Sequence, residues 1–180
     1  MSDGLIPRRY AKALYKYAVE NGDSKEIYEL LKSLSFRYTA IDELKRAVLN
    51  PEISDEAKGA YMLKLAGGRP GSSLDNFLLL VVRNNRAEYL QKITLAYVDL
   101  FREANEIAHV VITTAVPMPE AEVNAIIDIV KRRLGAMKLE IEKVIDPELI
   151  GGFTVKINGL VLDASVKREL NELRLKLQKK

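Results

Sequence analysis

IDPELIGGFTVKINGLVLDASVKREL, residues 145–170, reads as a strand, a tight turn, a second strand and the start of a helix. Phe153, Val155 and Ile157 alternate with polar residues, the two-residue period of a half-buried strand. Asn158-Gly159 is a strong signal for a two-residue hairpin, which pairs Leu160–Leu162 antiparallel with that strand. Gly151 and Gly152 break the chain just before it, where a side chain would block close backbone approach. Asp163 and Ser165 can cap the helix that follows by accepting from its free N–H groups. Val166, Leu170, Leu173 and Leu177 then recur at four, three and four, one stripe on a last helix. Such a helix suits either the sheet of its own domain or a partner helix, and a four-stranded sheet needs a cover, so the sheet is the expected neighbour.

Upstream, the strand period continues to residue 107. Ile107–Val116, rich in Val, Ile and Thr, ends at Pro117 and reads as a strand. Pro119 opens a helix with Glu120 and Glu122 in its first turn, running to Leu134 and stopping at Gly135. Leu139–Ile145 is a further strand, bounded by Asp146-Pro147. Residues 106–180 are thus expected to form a small α+β domain with a four-stranded sheet and two helices.

Before residue 105 the period is helical. Helices are predicted over 7–21, 24–38, 41–49, 54–65, 73–83 and 86–104, so residues 1–105 form a six-helix bundle. Gly22 suits the first C-terminal stop, and Asp23 with Glu26 resembles a capping box opening the second helix. That helix carries Ile27, Leu30, Leu31, Leu34 and Tyr38 as its apolar stripe. In the first helix Tyr10, Ala13, Leu14, Tyr17 and Ala18 share a face, and Tyr10, Tyr15 and Tyr17 serve equally to close a core or to meet a partner. Phe77–Val82 is apolar on every side, which requires burial on more than one face. It is either a central core helix or one whose outer face a partner covers.

The chain has 180 residues, 48% hydrophobic and 29% charged, the balance of a soluble globular protein. Phe77–Val82 is also the longest apolar run, far short of the roughly 18 residues of a membrane span. No apolar signal core or transit-type segment is expected at the start. The net charge is +3, with 16 Lys or Arg against 14 Asp or Glu in residues 1–105 and 12 against 11 in the rest. That even spread, with the short clusters Lys131–Arg133 and Lys167-Arg168 on helices, argues against a phosphate-binding face. Without cysteine and with His109 alone, neither a thiolate metal site nor a Cys–His pair is available. His109 reads as a strand-surface or packed histidine, and Glu140 and Glu142 as solvent-facing residues of one strand face. Gly67–Gly71 superficially resembles a phosphate loop, but no Lys follows Gly71 and no strand precedes it. No catalytic constellation, cofactor site or metal site is expected.

Three segments together resemble one family. RRYAKALYKYAVENG at 8–22, NFLLLVVRNNR at 76–86 and the 145–170 stretch are similar, in order, to the first helix, fifth helix and C-terminal signature of the delta subunit of F-type ATP synthase, the counterpart of the mitochondrial oligomycin sensitivity-conferring protein. The resemblance implies a non-catalytic peripheral-stalk subunit that holds the catalytic head against rotor torque. It implies a groove between the first and fifth helices for the N-terminal segments of the alpha subunits, here Arg9, Tyr10, Ala13, Leu14 and Tyr17 facing Phe77, Leu80, Val81 and Asn84. It further implies that the C-terminal domain meets the b-subunit dimer, with Val166, Leu170, Leu173 and Leu177 as the candidate surface. Neither nucleic acid, a membrane span nor a homo-oligomer is expected, and the cytoplasmic face of a bacterial inner membrane is the implied location. A helical adaptor or assembly protein with another partner shares the bundle but not the C-terminal signature. A weakly basic nucleic-acid-binding protein is a more distant alternative.

Overall fold

A computed structural model of the chain describes residues 4–40, 46, 50, 52–135 and 138–178, without the side chains of 38–40, 172–173 and 175–178. The helix expected at 41–49, and the Tyr38 side chain, fall outside the described residues. The chain divides into two compact units between Phe101 and Arg102.

The N-terminal unit contains α1 (Leu5–Asn21), α2 (Ser24–Ala40), α3 (Asp55–Ala66), α4 (Ser73–Arg83) and most of α5 (Leu90–Ala104). Helix α1 begins two residues before Pro7, which occupies the first turn, where its missing N–H costs nothing. It ends on Gly22 in the left-handed region (φ 74°). The Asp23 N–H donates to the Ala18 carbonyl at 3.0 Å, completing a Schellman closure. That donor is therefore spent, and the Glu26 carboxylate pairs with Arg69 instead, so the expected capping box does not form. Ser54 and Ser72 do cap α3 and α4, accepting from Ala57 N–H at 3.2 Å and Asp75 N–H at 3.3 Å. Between α4 and α5, Asn85 takes φ 53°, a conformation Asn tolerates, and a 3₁₀ turn (Ala87–Tyr89) precedes α5. This turn is why the last helix of the unit starts at Leu90 rather than 86.

Each helix sends one row inward: Leu14 and Ala18 from α1, Ile27, Leu31 and Leu34 from α2, Met62 from α3, Leu78 and Val81 from α4, Ile93 and Tyr97 from α5. Fully burying each large apolar side chain contributes about 1.5–3 kcal/mol. Tyr28, missing from the predicted α2 stripe, stacks on Phe101 with ring centroids 4.3 Å apart. Tyr15 turns edge-on toward Tyr97 and Phe101, so it closes the core.

The C-terminal unit contains β1 (Ile107–Thr114), α6 (Glu120–Leu134), β2 (Lys138–Ile145), β3 (Gly152–Ile157), β4 (Leu160–Ser165) and α7 (Val166–Gln178). The sheet order is β2-β1-β3-β4. Strands β1 and β2 are parallel (Val110 opposite Ile141), while β3 runs antiparallel to β1 and to β4. The β3–β4 turn has positive φ at both Asn158 and Gly159, as a primed hairpin turn requires. Val110, Ile112 and Val155 pack under Val123, Ile126, Ile127 and Val130 of α6.

Two expectations are corrected here. Helix α6 covers the centre of the sheet, whereas every described side chain of α7 is exposed, Val166 by 38% and Leu170 by 51%. One helix suffices for the two middle strands, which carry the sheet's buried apolar residues. The edge strand β4 is left with Leu160, Val161 and Leu162 all exposed. Glu140 is also not solvent-facing: its Oε2 accepts from Arg102 Nε at 3.0 Å, and both side chains are largely buried. Glu142 lies 3.0 Å from His109 Nε2 on the same sheet face. The Arg102–Glu140 pair ties the last turn of α5 to β2, consistent with the division falling inside that helix.

Candidate partner-binding site

The surface begins with a rotation between two rows of α1. Pro7, Ala11, Leu14 and Ala18 form its core row; Tyr10, Ala13 and Tyr17 lie beside them, with Tyr10 half-buried and the other two exposed. On α4, Leu74, Phe77, Leu78, Val81 and Val82 are buried, while Leu80 is 50% exposed near the middle of an otherwise sunken apolar helix. The two readings of Phe77–Val82 therefore divide by residue. Most of the run is core, and Leu80 is the side chain left exposed.

The helices run antiparallel, with the start of α1 beside the end of α4. Tyr10 meets Phe77 edge-on at 6.3 Å between centroids, and Asn84 Nδ2 donates to Tyr10 Oη at 3.2 Å. Tyr10, Phe77 and Asn84 are thus brought together from 74 residues apart in sequence. Of the nine residues expected to form the groove, Leu14 and Val81 have essentially no exposed surface, and Phe77 very little. They support the site from beneath. Arg9, Ala13, Tyr17, Leu80 and Asn84 are exposed.

Sequence reading missed what lies past Tyr17. A cleft of about 470 Å³ opens there, lined among others by Tyr17, Asn21, Asp23, Glu26, Arg69 and Asn76. The loop that closes it was visible only as Gly67–Gly71, and its neighbours come from three helices.

In the C-terminal unit, Val166 and Leu170 stand exposed on α7. The side chains of Leu173 and Leu177 fall outside the described residues. Ser165 Oγ caps α7 by accepting from Arg168 N–H at 3.3 Å. Asp163 acts one step earlier than expected, accepting from Ser165 N–H at 2.9 Å. Hydrogen bonds from Ser165, side chain first and backbone second, with the Arg168 charge in support, hold the Asp163 carboxyl below its usual range.

Among the described residues no group of three His, Asp or Glu could hold a metal ion, and no helix is long and apolar enough to cross a membrane. An all-helical unit with Tyr17 and Leu80 exposed on α1 and α4, joined to an α+β unit whose described α7 side chains are all exposed, suits a protein of a docking kind. The comparisons identify which kind. Residues 6–177 match the ATP synthase delta (OSCP) subunit family, and the chain belongs to it. It is 36% identical over 172 residues to the ATP synthase subunit delta of Phocaeicola vulgatus, covering 95% of this chain and 92% of the relative. Against the ATP synthase subunit delta of Bacteroides thetaiotaomicron it is 36% identical over 176 residues, covering 97% and 94%. The fold matches a chain in the cryo-EM structure of the Toxoplasma gondii mitochondrial ATP synthase hexamer with a TM-score of 0.71. That match has 21% identity and covers 96% of this chain and 97% of the other. The protein is a structural component of the peripheral stalk of F-type ATP synthase and not its catalyst.

Proposed function

We propose that the α1/α4 seam holds the N-terminal segments of the alpha subunits and that the exposed stripe of α7 meets the b-subunit dimer. The protein then fastens the catalytic head to the membrane sector, on the cytoplasmic face of a bacterial membrane, and resists the torque of the rotor. One observation carries the reading: Tyr17 and Leu80 are large side chains left exposed on the two helices that the Tyr10–Phe77–Asn84 contact brings together. An amphipathic helix laid along such a seam covers the exposed leucine and tyrosine while its polar face stays wet. A clamp of this kind needs slow dissociation, which buried apolar and aromatic anchors supply.

Calorimetric titration of the full chain with a synthetic peptide of the alpha subunit's N-terminal segment tests it. Saturable binding is expected, weakened about tenfold or more by Tyr10→Ala, since truncating a central aromatic anchor costs over 1 kcal/mol. Ala13→Asp puts a charge into the seam and should weaken assembly of the head onto the membrane sector, with the fold unchanged by circular dichroism. Absence of peptide binding by the folded chain sinks the seam assignment.

A further inference from the structure

The cleft beyond Tyr17 is continuous with the seam. Tyr17 belongs to both, and Asn76 lies one helical turn before Leu80 on α4. Its chemistry differs from the rest of the surface. Arg69 Nη2 donates to both oxygens of Glu26, at 2.9 and 3.2 Å, so those two charges satisfy each other. Asp23 is left as the unbalanced charge, and its Oδ1 is buried with no hydrogen-bond partner among the described residues. An acceptor removed from water and left unmade costs free energy, more for a carboxylate than for a neutral group. The cleft does not suit an anion. At the start of α4, Ser72 Oγ already accepts from Asp75 N–H, and Asp75 Oδ2 accepts from Gly71 N–H at 2.8 Å, so the helix N-terminus is occupied by the chain's own oxygens.

We propose that this cleft is a second compartment of the docking surface, taking a Lys or Arg side chain of the same amphipathic segment that lies in the seam, with Asp23 as its acceptor. This rests on the reading of the seam given above and adds direction to it. From Tyr10 to Tyr17 the seam runs about 10 Å, at 1.5 Å per residue. Asp23 lies six residues past Tyr17, beyond the end of α1, so the cationic residue sits more than two helical turns from the anchor packed against Tyr10. At the opposite end, exposed Arg9, next to Tyr10, gives the seam a positive rim. A segment with a basic residue at the cleft end and an acidic one at the Arg9 end fits; the reversed segment meets like charges at both ends.

The test titrates the full chain with the alpha-subunit peptide at low and moderate salt. The same titrations use peptides in which each Lys or Arg is singly replaced by Gln. Asp23→Asn should weaken binding about tenfold and flatten its salt dependence, the expected effect of losing one desolvated charge pair. One peptide substitution should weaken wild type by a similar factor and leave Asp23→Asn unaffected. That coupling is what a merely structural role for Asp23 would not produce. Binding that depends on Tyr10 but is indifferent to Asp23→Asn overturns the cleft assignment and leaves the seam standing. A peptide that does not bind at all removes both. If Asp23→Asn does not fold, the peptide series on wild type decides, and a series in which no substitution changes affinity overturns the proposal.

Discussion

Gly152 occupies a place no other residue can take. Its φ is +75°, and a Cβ there would run into the Ala164 carbonyl oxygen across the β3–β4 ladder. Gly151, one residue earlier, would meet only the Val166 side chain, at 3.1 Å. Gly152→Ala is expected to destabilise the C-terminal unit by about 2 kcal/mol or more, combining left-handed strain with a backbone collision. Gly151→Ala should cost clearly less, and urea unfolding followed by NMR signals of β3 and β4 measures both. Eleven residues after Gly152, Asp163 gives a pH signature. Because its folded pKa is lowered, its contribution is present above the usual carboxylate range and is lost as pH falls through the folded value. Carboxyl carbon NMR should place its midpoint below that of a free aspartate, and Ser165→Ala should move it back up.

At the scale of elements, the punctuation was legible and the partnerships were not. Gly22, Gly135 and Asn158-Gly159 mark boundaries because each satisfies or terminates a backbone pattern within a few residues. The Tyr10–Phe77–Asn84 contact joins residues more than sixty positions apart, and residue periodicity alone carries no information about which helices become neighbours. Family resemblance supplied that adjacency. Periodicity also blurred the first helix: one predicted face of five residues is in fact two rows, one packed and one open. The cleft at Asp23 was illegible because three helices and a loop build it. Helix α7 shows the opposite error, an amphipathic stripe assigned to the sheet by the need for cover when α6 already provided it. Its exposure makes a substitution informative. Leu170→Asp should leave the thermal unfolding temperature nearly unchanged, since surface changes are usually within about 0.5 kcal/mol. It should weaken capture of a purified b-subunit dimer, and undiminished capture would remove α7 from that contact.

On the scale of the whole molecule, the two docking surfaces proposed above would change what a single defect does. When one end is engaged, rebinding at the other is intramolecular, at an effective concentration near the millimolar range for short connections. Tyr10→Ala should therefore cost much more in the isolated peptide titration than in head retention by assembled membranes. Combining it with Leu170→Asp should release the head far more than either change alone, as measured by the ATPase activity shed from washed membranes. Equal losses in the single and double variants would mean that the protein holds through one end only.

The bare edge of β4 sets a further condition on the cell. Leu160, Val161 and Leu162 are exposed on a strand whose outer hydrogen-bonding edge no other strand fills among the described residues, the arrangement that recruits other strands. Copies synthesised beyond the number of complexes awaiting them are consequently a liability instead of a reserve. Supply has to track demand, and a surplus should turn up in inclusion bodies or in the output of proteases before it turns up as a free pool.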